Sequence, residues 1–177
     1  MRFLKRLLGT IALLVLLVIA AAYLLPRNVQ ISRTITIDAP PAKVFALVNT
    51  LKEGEKWSPW LGLDPDARLA YSGPASGVGN RLDWRSEHPN VGSGMQIITE
   101  SVPDSRVATD LDFGEMGKAK AAFVLKPAGT GTLITWSLQT DLGLNPLARW
   151  AGLMMDRWVG TDYERGLVSL KKLAEQQ

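Results

Sequence analysis

The chain has 177 residues and no cysteine, which excludes disulfides, zinc–thiolate sites and cysteine nucleophiles. Its formal charge of +3 is a poor guide to partners, because Arg2, Lys5, Arg6 and Arg27 all flank an apolar N-terminal run. From Asn28 onward sixteen Lys and Arg face seventeen Asp and Glu, a net charge of −1 with no basic stripe, so a nucleic-acid partner is not expected.

The run "LLGTIALLVLLVIAAAYLL", Leu7 to Leu25, holds 19 residues without a charge. As a helix it would be about 28 Å long, close to the thickness of a bilayer core. Basic residues precede it and Pro26 stops it. The competing reading is a cleaved signal peptide, with Ala20 to Ala22 as the small-residue site, but Tyr23, Leu24 and Leu25 continue the apolar run where a polar region should begin. The expectation is an uncleaved anchor over residues 1–27 and one domain over 28–177. The positive flank places the N-terminus in the cytoplasm and the domain outside it, in the periplasm of a Gram-negative source. Arg27 and Arg33 on the far side weigh against that orientation.

"VQISRTITIDAP" alternates apolar and polar residues, with Val29, Ile31, Ile35 and Ile37 on one face, and predicts a half-buried strand. Asp38 is placed to cap the helix that Pro40 and Pro41 open, in which Val44, Leu47, Val48 and Leu51 recur at helical spacing. A turn-rich stretch with Trp57 and Trp60 follows. Six strand signals come next, at Arg68–Ser72, Asn80–Ser86, Met95–Val102, Arg106–Phe113, Lys118–Lys126 and Thr132–Asp141, with short turns between the later ones. Such an order predicts an antiparallel meander. From Asn145, a plausible cap with Pro146 behind it, helical periodicity resumes for about thirty residues, with Gly160 as a point where the helix can bend. Segregated strands and helices give an α+β class.

"YSGPASGVGNRLDW" raises the possibility of a phosphate loop. Neither the dinucleotide nor the P-loop spacing is met, no lysine is present, and a strand follows instead of a helix. The glycines therefore read as a strand-to-strand turn with positive φ, whose role in function would be steric, as a lip at a cavity mouth. His88, the only histidine, falls in a turn. Asp110 and Asp112 share the face of their strand opposite Val107, Thr109, Leu111 and Phe113, and read as solvated, as do Arg81, Asp83 and Arg85. Asp156, Asp162 and Glu164 read as surface charge on the last helix. No catalytic residue, metal site or cofactor is expected from these residues.

"RTITIDAPPAKVFALVN", "KWSPW", "YSGPASGVGNRLDW", "GTLITWSLQTDLG" and "LMMDRWVGTDYERGLVSLKKLAE", in this order, resemble the SRPBCC superfamily over about residues 29–175. Its polyketide cyclase/dehydrase and START-related branch is the nearest. The resemblance implies a helix-grip fold, in which a curved antiparallel sheet of about seven strands wraps a long C-terminal helix around an apolar cavity.

Six tryptophans and five methionines are the informative excess. Trp84, Phe113 and Trp136 fall on the inward side of their strands; Met154 and Trp158 fall on the apolar stripe of the last helix with Met155 beside them; Trp57, Trp60 and Met116 come from loops. Ordinary core packing accounts for such residues one at a time. As a set they converge where the resemblance puts the cavity, and suit a flat or chain-like apolar ligand. Three functions compete: a membrane-tethered module binding a hydrophobic small molecule or lipid, a polyketide cyclase or dehydratase, and a protein-interaction or stress module with its cavity unused.

Overall fold

The computed structural model describes residues 2–176. Helix α1, Arg2–Ala22, is the apolar N-terminal segment, and its stretch Phe3–Ala22 has a mean hydropathy of 2.3. It is long and apolar enough to cross a membrane. The apolar run continues to Leu25 but the helix does not. Arg149 donates to the carbonyls of Tyr23 and Leu25, and Pro26 cannot extend the helix.

Seven strands follow: β1 (Asn28–Ile37), β2 (Arg68–Ser72), β3 (Arg81–Arg85), β4 (Ser93–Val102), β5 (Arg106–Asp112), β6 (Lys118–Ala128) and β7 (Gly131–Asp141). All pair antiparallel in one sheet of order β1-β7-β6-β5-β4-β3-β2. The meander from β2 to β7 is the consequence of short turns, and β1 closes it by lying against β7 along its whole length, from Asn28 opposite Asp141 to Ile37 opposite Thr132. A register shift between Ile98 and Glu100 marks a bulge in β4, which increases local twist and bends the strand.

Helix α2, Pro41–Val48, buries Val44, Leu47 and Val48. Its N-cap is Pro40, in extended geometry and without a side-chain cap. The expected cap by Asp38 does not form: that residue lies two positions too early, and its backbone N–H donates instead to Glu175 Oε1 at 2.7 Å. A 3₁₀ turn, Leu51–Lys56, continues the segment and ends at Trp57.

Helix α3, Pro146–Gln176, runs unbroken through Gly160. Asn145 does cap it: its Oδ1 accepts from the N–H of Leu147 at 2.9 Å. Tyr163, Leu167, Leu170 and Ala174 bury one side of its C-terminal half against the inward residues of the sheet, among them Ile31, Ile134 and Trp136. The fold is thus α+β, an open antiparallel sheet gripping a long C-terminal helix, with α1 in front.

Arg33 falls in phase with Val29, Ile31, Ile35 and Ile37, on the inward face of β1. Its guanidinium binds Asp156 at 3.0 Å and Glu164 at 2.6 Å, one helical turn either side of Gly160. Those two carboxylates are therefore the clasp between α3 and β1 and not free surface charge. Their hydrogen bonds hold the guanidinium above its ordinary pKa, and Asp156 below.

The glycine turn takes the form the sequence predicts, with Gly73, Gly77 and Gly79 all at positive φ. It is not a lip, since none of its residues lines the cavity described below. Asn80 pins it: buried, it accepts from the Leu51 N–H and donates to the Pro74 carbonyl, both at 2.8 Å.

Candidate functional site

Five aromatic rings meet between the sheet and α3. Trp136, on β7, lies between Phe123 of β6, with centroids 4.9 Å apart, and Tyr163 of α3, at 3.7 Å and only 10° from parallel. Trp57 and Trp60, from the segment after the 3₁₀ turn, meet Trp136 edge-on at 5.5 and 5.8 Å. The edge-on pairs and the Phe123 stack have geometries that ring quadrupoles favour, while Trp136 and Tyr163 lie closer, nearly face to face. Gly166 lets it close: a Cβ there would lie 2.8 Å from the Trp136 ring. A second pair, Trp84 and Phe113, meets edge-on at 5.9 Å nearer β3.

These two groups wall a cavity of about 520 Å³. Leu82, Leu111, Ala121 and Leu138 floor it from the sheet, Val48 and Leu51 close one end, and Trp158, Val159 and Tyr163 cover it from α3. Met116 and Trp158 also line it while remaining 75% and 56% exposed, so they edge its mouth. Polar side chains also line it, Thr50, Ser58, Asn90, Gln96 and Thr109, and among them Gln96 Nε2 donates to the buried Thr109 hydroxyl at 3.2 Å. Among the described residues no Asp, Glu, His, Lys or Arg lines the cavity, and Tyr163 is its one ionisable side chain. Burial raises that hydroxyl well above its usual pKa, so it stays protonated and can only donate or accept a hydrogen bond.

A model of the family described as polyketide cyclase / dehydrase and lipid transport matches residues 28–175. The chain belongs to that family. Its place in the SRPBCC superfamily accords with solved structures of the same fold. The Staphylococcus aureus protein SA2116 is similar at TM-score 0.66 and 10% identity, covering 84% of this chain and 94% of that one. The Aha1 dimer of Colwellia psychrerythraea is similar at TM-score 0.55 and 21% identity, over 83% and 96% of the two chains. The di-domain ARO/CYC StfQ of the steffimycin biosynthetic pathway gives TM-score 0.64 at 13% identity, and there this family member covers only 51% of the longer chain. None of the curated proteins matches the chain.

Of the residues expected at the cavity of this family member, Trp57, Trp60, Trp84, Phe113, Met116, Trp136 and Trp158 line it. Met154 and Met155 do not. Met155 packs half-buried against the core, and Met154 points to solvent, 39% exposed. Four-residue spacing groups Met154 with Trp158, but Met154 sits one helical turn nearer the start of α3, and only Trp158 lines the cavity. Thr109 shares the phase of Val107 and Leu111 and is legible as inward; nothing local singles out Gln96 or Tyr163. His88 sits in its expected turn, where its Nδ1 accepts from the Asn90 N–H. Asp110 and Asp112 face Lys120 and Lys118, and Arg81 faces Asp83, all on the outer side.

Proposed function

We propose that the domain is a binding module for a hydrophobic small molecule or lipid, tethered to a membrane by α1. The observation that carries this reading is the cavity itself: a volume within the range of small-ligand sites, mainly aromatic and aliphatic walls, a few uncharged polar side chains and an exposed rim. Gln96 and Thr109 would hold the polar end of an amphiphile, and the ring cluster its apolar body. The family description includes lipid transport, which supports the same class of ligand. It also includes cyclase and dehydrase chemistry, but a lining without carboxylate or histidine offers no group to move a proton at neutral pH, and this favours binding over catalysis. The apolar α1, with Arg2, Lys5 and Arg6 in its first turns, supports a single-pass anchor with the domain outside the cytoplasm, periplasmic in a Gram-negative cell.

Native mass spectrometry of the full-length chain released from detergent tests the reading. A lipid-sized adduct is expected on the wild type and not on Ala121→Phe, which fills the cavity floor without removing any ring. Equal thermal melts would show that the variant is folded. An adduct of equal abundance on both proteins, or none on the wild type, would set the cavity aside as a ligand site.

A further inference from the structure

The first three turns of α3 have two unlike sides. One side meets the sheet: a Cβ at Gly152 would touch Leu142 and Val29, and Asp156 and Gly160 meet Arg33. The opposite side carries Leu147, Trp150, Met154 and Trp158, at intervals of three, four and four, which is one stripe of a helix about 16 Å long. All four are exposed, Leu147 at 78%, and Leu144 just before the helix is at 70%. Apolar residues facing away from the core in register are what an interfacial helix presents to lipid.

What covers the stripe is indicated by α1. The indole N–H of Trp150 donates to the carbonyl of Val18, one turn inside the apolar segment. The Tyr23 hydroxyl donates to the Leu144 carbonyl, and the Arg149 guanidinium lies 5.2 Å over the Tyr23 ring. The C-terminal end of the membrane-length helix and the start of α3 are thus fastened together by three contacts among Val18, Tyr23, Leu144, Arg149 and Trp150. Tryptophan and tyrosine are the side chains that settle at the headgroup level, and both sit at this junction.

We infer that the Leu147–Trp150–Met154–Trp158 face of α3 lies in the bilayer surface beside the point where α1 emerges, and that its partner is lipid. The inference rests on the membrane-tether reading above. Because Trp158 ends the stripe and also edges the cavity, the mouth sits at the same level as the headgroups.

The chain lacks cysteine, so single nitroxide labels at Val15→Cys, Leu147→Cys, Met154→Cys and Ser72→Cys can be placed on the full-length protein in lipid nanodiscs. Ser72 is exposed on β2, the edge strand farthest from β1, and serves as the aqueous reference. Collision with oxygen and with a water-soluble nickel chelate reports depth. The expected order is Val15 shielded from nickel, Leu147 and Met154 with nickel accessibility reduced several-fold from Ser72, and Ser72 open. If Val15 is shielded but Leu147 and Met154 match Ser72, the interfacial face is overturned while the tether stands. If Val15 itself is open to nickel, the tether reading falls and this inference with it. Dipolar broadening at Met154 that disappears on dilution with unlabelled protein would assign the stripe to a second copy of the chain and overturn a lipid partner.

Discussion

Removing the Trp136 ring would leave Phe123 and Tyr163 facing an empty slot. Trp136→Ala should therefore lower stability by about 3–5 kcal/mol, read from the shift of the denaturant midpoint at unchanged slope. Loss of ligand in that variant would not separate binding from folding, which is why the contrast with Ala121→Phe matters. A Trp136→Ala protein as stable as wild type would mean that the ring is wall and not core. Alternation along β7 is enough to turn Trp136 inward from the sequence, since Ile134, Trp136 and Leu138 share one phase. Its sandwich is not legible, because Tyr163 arrives from another element and helical periodicity does not fix which ring will face it. The same limit applies to Asn80, whose side chain ties together residues 29 positions apart.

At the scale of elements, α3 is held to β1 by a contact that glycine makes possible. A Cβ at Gly160 would lie 2.1 Å from a guanidinium nitrogen of Arg33. In an exposed helix interior Gly→Ala gains about 1 kcal/mol. Here Gly160→Ala should lose stability, because Arg33 must leave Asp156 and Glu164 to make room. In an Arg33→Ala background the same substitution should regain the ordinary helical benefit. A double-mutant cycle by chemical unfolding checks this, and additive effects would refute the coupling. The limits of α3 and of all seven strands follow closely from local pattern: Asn145 and Pro146 start the helix, and period-two alternation with glycine turns spaces the sheet. The clasp is less visible. The phase of β1 places Arg33 inward, but its partner Asp156 lies 123 residues away and looks like any solvated helical carboxylate. For the same reason spacing alone places Met154 with Trp158 and cannot tell which side of the helix meets the sheet.

For the whole molecule, the join between α1 and the domain is the feature most open to test. Membrane fractions should retain the full-length chain through an alkaline wash, with N-terminal sequencing reading from the start of the chain; a mature N-terminus at Tyr23 would instead identify a signal peptide. The join should also respond to acid. Arg27 hydrogen-bonds Asp141 through both carboxylate oxygens, and this, with the Gly143 N–H, lowers the Asp141 pKa from 3.8 to about 2. A depressed folded pKa means that the contribution is full above the unfolded value and is lost as pH falls through the folded one. Melting temperature should thus fall between about pH 4 and pH 2, and Asp141→Asn should be less stable at pH 6 and show a shallower decline over that window. Parallel curves for the two proteins would show that the pair is energetically silent.

Only Tyr23 to Arg27 separate α1 from β1, and they are not slack. Ala22 is fully buried, Arg149 holds two carbonyls of the link, and Arg27 is paired. Even fully extended, five residues reach only about 17 Å. With α1 in a bilayer, the domain cannot swing outward or travel to a second membrane. On the proposed reading it would act as a fixed receiver, its mouth held within reach of one membrane surface and its ligand taken up there.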